Sequence, residues 1–235
     1  MIISGLQKMT LLDFPGKVAC TVFLQGCNFR CPFCHNSDLL GSDGPEPIPA
    51  ETLLAFLKKR VGLLDGVCIT GGEPTLQKDL PDLLRQIKEL GYLVKLDTNG
   101  NRPDVLKALV DAGLVDYVAM DIKNCPDRYG ETAGVPNMTL THLEESIRFL
   151  LSGAVDFEFR TTVMDELHDE AGFAAIGAWL QALSPRKAPR FFLQPYVDRE
   201  SVLVGGFTAP NAEKLQKMAD SIAPFVEQVT IRGQD

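Results

Sequence analysis

The alternation of short apolar runs with helix-periodic segments constrains this chain more than any other feature. Val18–Leu24 is rich in β-branched and apolar residues and reads as a buried strand. Ala50–Val61 reads as a helix, with Leu53, Leu54, Phe56, Leu57 and Val61 on or near one face and Gly62 at its end. Gly66–Thr70 is the next strand. Leu80, Leu83, Leu84, Ile87 and Leu90 then recur at helical spacing, with Pro81 in the first turn and Gly91 past the end. Tyr92–Leu96, Val115–Met120, Val155–Phe159 and Phe191–Leu193 continue the strands, and Val226–Ile231 reads as a short last one. Pro103–Ala112, Thr141–Leu151, Asp169–Leu183 and Pro210–Ala223 continue the helices. Thr141 and Glu144 have the spacing of a capping box. Residues 1–16 read as an irregular lead-in or small hairpin, closed by the turn Asp13-Phe14-Pro15-Gly16. Residues 17–235 read as one domain.

Such alternation predicts a parallel sheet with helices outside it. A closed eightfold barrel takes about 250 residues. With 235 residues and six good strand–helix units, the expected α/β fold is an incomplete (β/α)6 TIM-like barrel in a single domain. A flat doubly wound sheet is the second choice. In either architecture, functional groups gather at the carboxyl ends of the strands.

Chemistry-bearing residues stand at five successive strand ends. Cys27, Cys31 and Cys34 follow the first strand, within one short loop. Gly71, Gly72, Glu73 and Pro74 follow the second, and Asp97, Thr98 and Asn99 the third. Asp121 and Lys123 follow the fourth, and Arg160 the fifth. Singly, each has an ordinary explanation: a glycine turn, a helix cap at Asp97, an ion pair. Together, beside a three-cysteine loop, they predict one functional face. Three thiolates in a loop suit an iron–sulfur cluster and leave one iron open for chemistry. A structural zinc knuckle needs four closed ligands, and no second Cys or Cys/His pair stands at that spacing. A thioredoxin-like pair leaves Cys27 unexplained. The stretch Ser37–Pro49 reads as a surface loop without cysteine, so a second ferredoxin-type cluster has no ligands there.

Net charge is −8, with no long basic run, which argues against a nucleic-acid partner. No stretch approaches a membrane span and no signal peptide is evident. Cys20 and Cys68 lie in strand-like runs, three others crowd one loop, and Cys125 follows a strand end. All six cysteines are read as reduced, in a cytoplasmic setting.

Cys27-x-x-x-Cys31-x-x-Cys34, with Phe33 before the last cysteine, resembles the cluster motif of the radical S-adenosylmethionine (radical SAM) superfamily. Gly71-Gly72-Glu73-Pro74 resembles its methionine-binding motif. Gln25-Gly26-Cys27, Cys34-His35-Asn36, Asp97-Thr98-Asn99-Gly100 and Asp121-Ile122-Lys123 narrow the resemblance to the glycyl-radical-enzyme activating enzymes. The most similar of these are the longer activating proteins of anaerobic ribonucleoside-triphosphate reductases. The resemblance implies a [4Fe-4S] cluster on Cys27, Cys31 and Cys34, with S-adenosyl-L-methionine on the open iron. It implies an oxidoreductase that cleaves that cofactor reductively to a 5′-deoxyadenosyl radical. A glycine Cα hydrogen of a partner, an anaerobic ribonucleotide reductase, is then removed. It further implies that Gly71, Gly72 and Glu73 hold the methionine amine, and that Lys123 and Arg160 balance its carboxylate. Asp97 and Asp121 are assigned to ribose hydroxyls or a monovalent cation, and Phe33, His35 and Asn36 to the adenine. A flavodoxin-like or ferredoxin-like electron donor is implied too. The chain departs from the pyruvate formate-lyase activating pattern at Val197, where a histidine is expected after Pro195-Tyr196. Two other readings stay open: a radical SAM enzyme acting on a small molecule or peptide, and a non-enzymatic metal or redox module. Ser37–Pro49 and Asn124–Met138 are the candidate partner-contact loops.

Overall fold

The computed structural model describes residues 1–41 and 46–233. Part of the Ser37–Pro49 loop, residues 42–45, and the last two residues of the expected domain lie outside the described residues. In chain order the elements are β1 (Ile3–Thr10), β2 (Ala19–Leu24), α1 (Ala50–Lys58), β3 (Gly66–Gly71), α2 (Leu80–Glu89), β4 (Leu93–Thr98), α3 (Pro103–Asp111) and β5 (Tyr117–Asp121). They continue with α4 (Tyr129–Thr132), α5 (Thr141–Leu151), β6 (Asp156–Val163), α6 (Glu170–Leu183), β7 (Phe191–Pro195), α7 (Ala212–Ile222) and β8 (Val229–Ile231). The strands lie in one sheet in the order β1 to β8. Sequential order, parallel pairing and helical crossovers are those of the expected incomplete β/α barrel.

Two compact units divide the chain. The first holds Met1–Asn28, Asn36–Thr98 and Arg102–Ala119. In it β2, β3 and β4 pair in parallel, with Thr21 opposite Cys68 and Cys68 opposite Lys95. The core is apolar: Val22 and Leu24 from β2, Val67 and Ile69 from β3, Val94 and Leu96 from β4 are fully buried. Leu53 and Leu57 of α1 and Leu80, Leu84 and Ile87 of α2 are buried with them, as their helical spacing demands. The lead-in is more regular than expected: β1 pairs antiparallel with β2, Ile3 opposite Leu24 and Thr10 opposite Ala19. Helix α1 is shorter than expected. It stops at Lys58, and Val61 is exposed.

The second unit holds Phe29–His35, Asn99–Asn101 and Met120–Asp235. Here β6, β7 and β8 pair in parallel. Phe157, Phe159, Phe173, Ile176, Phe191 and Leu193 form much of its core. Strand β6 runs on through Thr161-Thr162-Val163, so Arg160 lies inside the strand, opposite Phe192, and not beyond its end. The expected capping box is not made. Leu140 is the residue before the helix and Thr141 is already inside it. Glu144 instead accepts from Trp179 Nε1 at 3.2 Å and from Arg148 at 3.3 Å. The stretch 124–138, expected as a loop, contains the single turn α4, anchored by the fully buried Tyr129.

Candidate functional site at the strand ends

In the first unit, β2 leads through Gln25 and Gly26 to Cys27. Gly26 N–H donates to Leu39 O at 2.7 Å, and Gln77 Nε2 donates to Gln25 O at 2.6 Å. The glycine pair that closes β3, Gly71 and Gly72, lies flat against this backbone. Gly72 N–H donates to Leu24 O at 2.8 Å and Glu73 N–H to Gly26 O at 2.7 Å. A Cβ on Gly72 would stand 2.1 Å from Gly26 O, and one on Gly71 2.3 Å from Leu24 N. Close approach is therefore the reason for both glycines, and Gly71 also has φ +118°. Asn36 Nδ2 donates to Gly71 O at 3.0 Å, tying the end of the cysteine loop to the glycine motif.

Glu73 is buried and spent on local structure. Its Oε1 accepts from Thr75 N–H at 3.1 Å, from the Thr75 hydroxyl, and from Thr98 Oγ1 at 2.8 Å. Asp97 is not a helix cap, since α3 begins at Pro103 without a side-chain cap. Its Oδ1 receives the ammonium of Lys95, a residue 1 % exposed. Lys95 Nζ also lies 3.8 Å from Cys68 Sγ. Lys95 belongs to no motif; the single charge inside Tyr92-Leu93-Val94-Lys95-Leu96 is its one sequence signal.

In the second unit, Cys31 and Cys34 share a turn, with Cys34 N–H donating to Cys31 O at 3.1 Å. Arg30 N–H donates to Ala133 O at 2.9 Å, and Cys31 Sγ lies 3.7 Å from the same carbonyl. Phe33 is buried edge-on against Phe207, with ring centroids 6.4 Å apart. His35 lies 5.5 Å from the Tyr196 ring. Its carbonyl accepts from Ser201 at 2.7 Å, while Val204 N–H donates to Pro32 O at 2.8 Å. The segment after β7 thus straps the second half of the cysteine loop, a contact no local sequence pattern announced. Burial, then the Arg199 charge, lowers the His35 pKa, so its ring is neutral at pH 7. Its Nε2 is buried and has no hydrogen-bond partner among the described residues.

Asp121, Lys123 and Arg160 come together. Asp121 Oδ2 accepts from Lys123 Nζ at 2.8 Å and Oδ1 from Arg160 Nε at 2.5 Å. Burial pushes the Asp121 pKa up, but the two cations outweigh it and hold the carboxyl well below its usual range. Burial likewise works against charge on Lys123, and Asp121 overrides it, so the ammonium is retained. Lys123 Nζ stands 6.0 Å from the centroid of Phe33, and a thiolate at Cys31 would further favour its charge. His168, buried and unremarked in the sequence, fixes this strand end. Nε2 meets Lys123 O at 2.9 Å, and Nδ1 accepts from Met164 N–H at 3.3 Å.

No cysteine is in a disulfide. Among the described residues no three histidine, cysteine or acidic side chains are gathered tightly enough to hold a single metal ion. Fitness for a cluster therefore rests on donor chemistry: three soft sulfurs within eight residues of chain, a retained cation near Cys31, and bare backbone beside Cys27. An orphaned polar atom on His35 adds a donor or acceptor with nothing yet to meet. These features fit the group the sequence implies.

A sulfur-bearing loop follows β2, glycines close β3, and ion pairs lie at the ends of β4 and β5, a pattern of polar groups at the carboxyl ends of an α/β sheet. The family can be stated more narrowly. Residues 21–177 match the family model of the radical SAM superfamily, and the chain belongs to it. Members are iron–sulfur enzymes that use a [4Fe-4S] cluster and S-adenosylmethionine. Over 98 % of the chain and 95 % of the relative, it is 29 % identical to a Methanocaldococcus jannaschii protein assigned by name to the glycyl-radical enzyme activating enzymes. It is 37 % identical to a pyruvate formate-lyase-activating enzyme of Clostridium pasteurianum, over about half of each chain (53 % of both). In fold it resembles a radical SAM methyltransferase from Sphaerobacter thermophilus, with TM-score 0.75, 14 % identity, and coverage of 95 % of this chain and 68 % of that one. Among the described residues, no helix is long and apolar enough to cross a membrane.

Proposed function

We propose that this chain is a radical SAM activating enzyme that installs a glycyl radical in a partner protein. The observation that carries the reading is the near end-to-end likeness to a relative bearing that assignment. Cys27, Cys31 and Cys34 would hold the [4Fe-4S] cluster. When bound and reduced, the cluster and S-adenosylmethionine together supply a carbon-centred radical able to take a hydrogen atom from a glycine Cα. The chain's own work is binding, orientation and exclusion of water. Gly71 and Gly72 offer backbone to the methionine amine, with Glu73 bracing them through Thr75 and Thr98. Lys123 and Arg160 are the cations for the methionine carboxylate, Asp97 and Asp121 face the ribose, and Phe33, His35 and Asn36 frame the adenine. Support comes from their grouping, within each compact unit, in the loop after β2, at or just past the ends of β3, β4 and β5, and in β6.

The finer reading is that the partner is an anaerobic ribonucleoside-triphosphate reductase, met in the cytoplasm through Ser37–Pro49 and Asn124–Met138, with a flavodoxin-like or ferredoxin-like electron donor. A second reading, a radical SAM enzyme acting on a small molecule, is favoured by one relative. The chain is 30 % identical, over 83 % of its length and 64 % of the relative's, to a Thermococcus kodakarensis protein named as a GTP 3′,8-cyclase.

Anaerobic reconstitution with reductant, cofactor and a glycyl-radical protein from a neighbouring gene tests the first reading. A glycyl electron-paramagnetic-resonance doublet is expected, and alanine at any of the three cysteines should remove both the doublet and 5′-deoxyadenosine. Deoxyadenosine formed without partner, and stimulated by a nucleotide, would favour the second reading.

A further inference from the structure

We propose that Lys95 is the resident cation of Asp97: a buried ammonium supplies the positive charge that a monovalent metal ion would otherwise bring, and this protein has no alkali-metal site there. The inference rests on the proposed function only for the expectation that Asp97 faces the cofactor.

Lys95 stands in β4 between Val94 and Leu96, and all three are buried, Lys95 to 1 % exposure. Lysine is almost never so deeply buried unless paired. Strand period places Lys95 and Asp97 on one face, and the parallel register sets Cys68 opposite Lys95. The ammonium meets Asp97 Oδ1 and lies 3.8 Å from Cys68 Sγ. The same Oδ1 lies 3.8 Å from Cys68 Sγ, so the three groups close on one another.

An alkali ion at Asp97 would have to share a carboxylate with a fixed ammonium already in hydrogen-bond contact. Two like charges at that distance repel, and with the Lys95 side chain 2 % exposed and that of Asp97 12 % exposed, little water screens them. Lys95 cannot readily withdraw, because its side chain is 2 % exposed and Asp97 is its acidic partner. Asp121, the other carboxylate assigned to a metal ion, is matched in the same way by Lys123 and Arg160. Stability alone does not explain the lysine, since a buried ion pair is commonly no better than an apolar side chain of similar volume. Methionine, for instance, fits that length. A charge kept at this cost is kept for Asp97, and Lys95 acts through it as a positioning residue.

Thermal melts of the full chain decide the matter, with no cofactor in any arm. Wild type, Lys95→Met and Lys95→Met/Asp97→Asn are compared in sodium, potassium and tetramethylammonium chlorides at equal ionic strength. Wild type should melt within about 1 °C in all three salts, with no sodium-NMR line broadening sensitive to Asp97→Asn. Lys95→Met should melt lower in tetramethylammonium and regain at least about 2 °C, saturably, with sodium or potassium. The double variant should show no such gain. The proposal is overturned if wild type gains stability from an alkali ion or broadens the sodium line through Asp97. It is overturned equally if folded Lys95→Met shows no preference among the salts. If Lys95→Met does not fold, the wild-type melts and line widths decide alone. Loss of the radical reaction would refute the proposed function and leave this result standing.

Discussion

Gly72→Ala is the substitution whose cost follows most directly from the backbone. Gly72 is not held by an unusual dihedral; its constraint is space. The added methyl would stand 2.1 Å from Gly26 O and 2.6 Å from Gly26 C, both backbone atoms. One strand end must retreat by about 1 Å, because packed interiors leave no slack. That retreat strains two hydrogen bonds, Gly72 N–H to Leu24 O at 2.8 Å and Glu73 N–H to Gly26 O at 2.7 Å. Each contributes about 1 kcal/mol, and a stranded donor costs somewhat more. Alanine returns about 0.4–1 kcal/mol by restricting the unfolded chain. The net expectation is a loss of about 2 kcal/mol, or roughly 4–8 °C in Tm for a chain of this size. Gly91→Ala is the control: φ is +88° there, but the new Cβ meets nothing within 4 Å. It should lose only about 1–2 kcal/mol of backbone strain and leave cofactor cleavage intact. Urea denaturation and anaerobic cleavage assays on both variants make the comparison. If Gly72→Ala cleaves S-adenosylmethionine as fast as Gly91→Ala does, the close approach of the two loops has no bearing on the site.

Three other outcomes are expected. Gly134→Ala puts a Cβ 2.0 Å from Arg30 O at a residue with φ +65°, so it should displace the Cys31–Cys34 turn; iron and sulfide retained after reconstitution should fall while circular dichroism stays native, and full loading would contradict this. Asp121→Asn strands Lys123 and Arg160, whose side chains are each 14 % exposed. Removing one buried partner costs about 3–5 kcal/mol, and the partial exposure of Asp121 reduces this to about 1–3 kcal/mol by urea denaturation; an unchanged midpoint would refute the pairing. His168 has its pKa lowered by burial, so the unfolded chain takes up a proton that the folded one refuses. Stability is therefore full above the ordinary histidine value and falls as pH drops below about 6.5, by up to about 1.4 kcal/mol per pH unit for each such group. His168→Gln should flatten that slope in Tm measured between about pH 5 and 7, and an identical slope would remove His168 from the account.

What the sequence made legible was local. The cysteine spacing, the glycine pair and the amphipathic α2 are patterns within a few residues, and each stands where it was expected. What stayed hidden depends on partners far along the chain. Strand β1 is diluted by Ser4, Gly5, Gln7 and Lys8, and only pairing with β2 makes it regular. The extension of β6 past Phe159 is carried by Thr161, Thr162 and Val163, good strand formers that lie beyond the apolar run and so beyond its signal. The Thr141–Glu144 spacing suggested a cap, but Trp179, thirty-five residues away, claims the acid. The strap over the cysteine loop joins Ser201 to His35 across 166 residues. Lys95 belongs to the same class, since a charge in a strand is informative only when its acid is known.

That asymmetry bears on how the site must bind. Asp121 already holds Lys123 and Arg160, and Asp97 already holds Lys95. Under the proposed function, a cofactor carboxylate arriving at Lys123 or Arg160 does not fill an empty place. It must share or displace Asp121, so its affinity is a difference between two ion pairs and not the full strength of one. Removing the charge of Asp121 should then tighten the cofactor's carboxylate, even as it destabilises the fold. Asp121→Asn supplies that separation. A variant that melts earlier yet binds S-adenosylmethionine at least as tightly, by equilibrium dialysis, is the expected result. Proportional loss of both would mean that Asp121 does not compete with the cofactor's carboxylate and that its contact with the ribose outweighs the cations it releases.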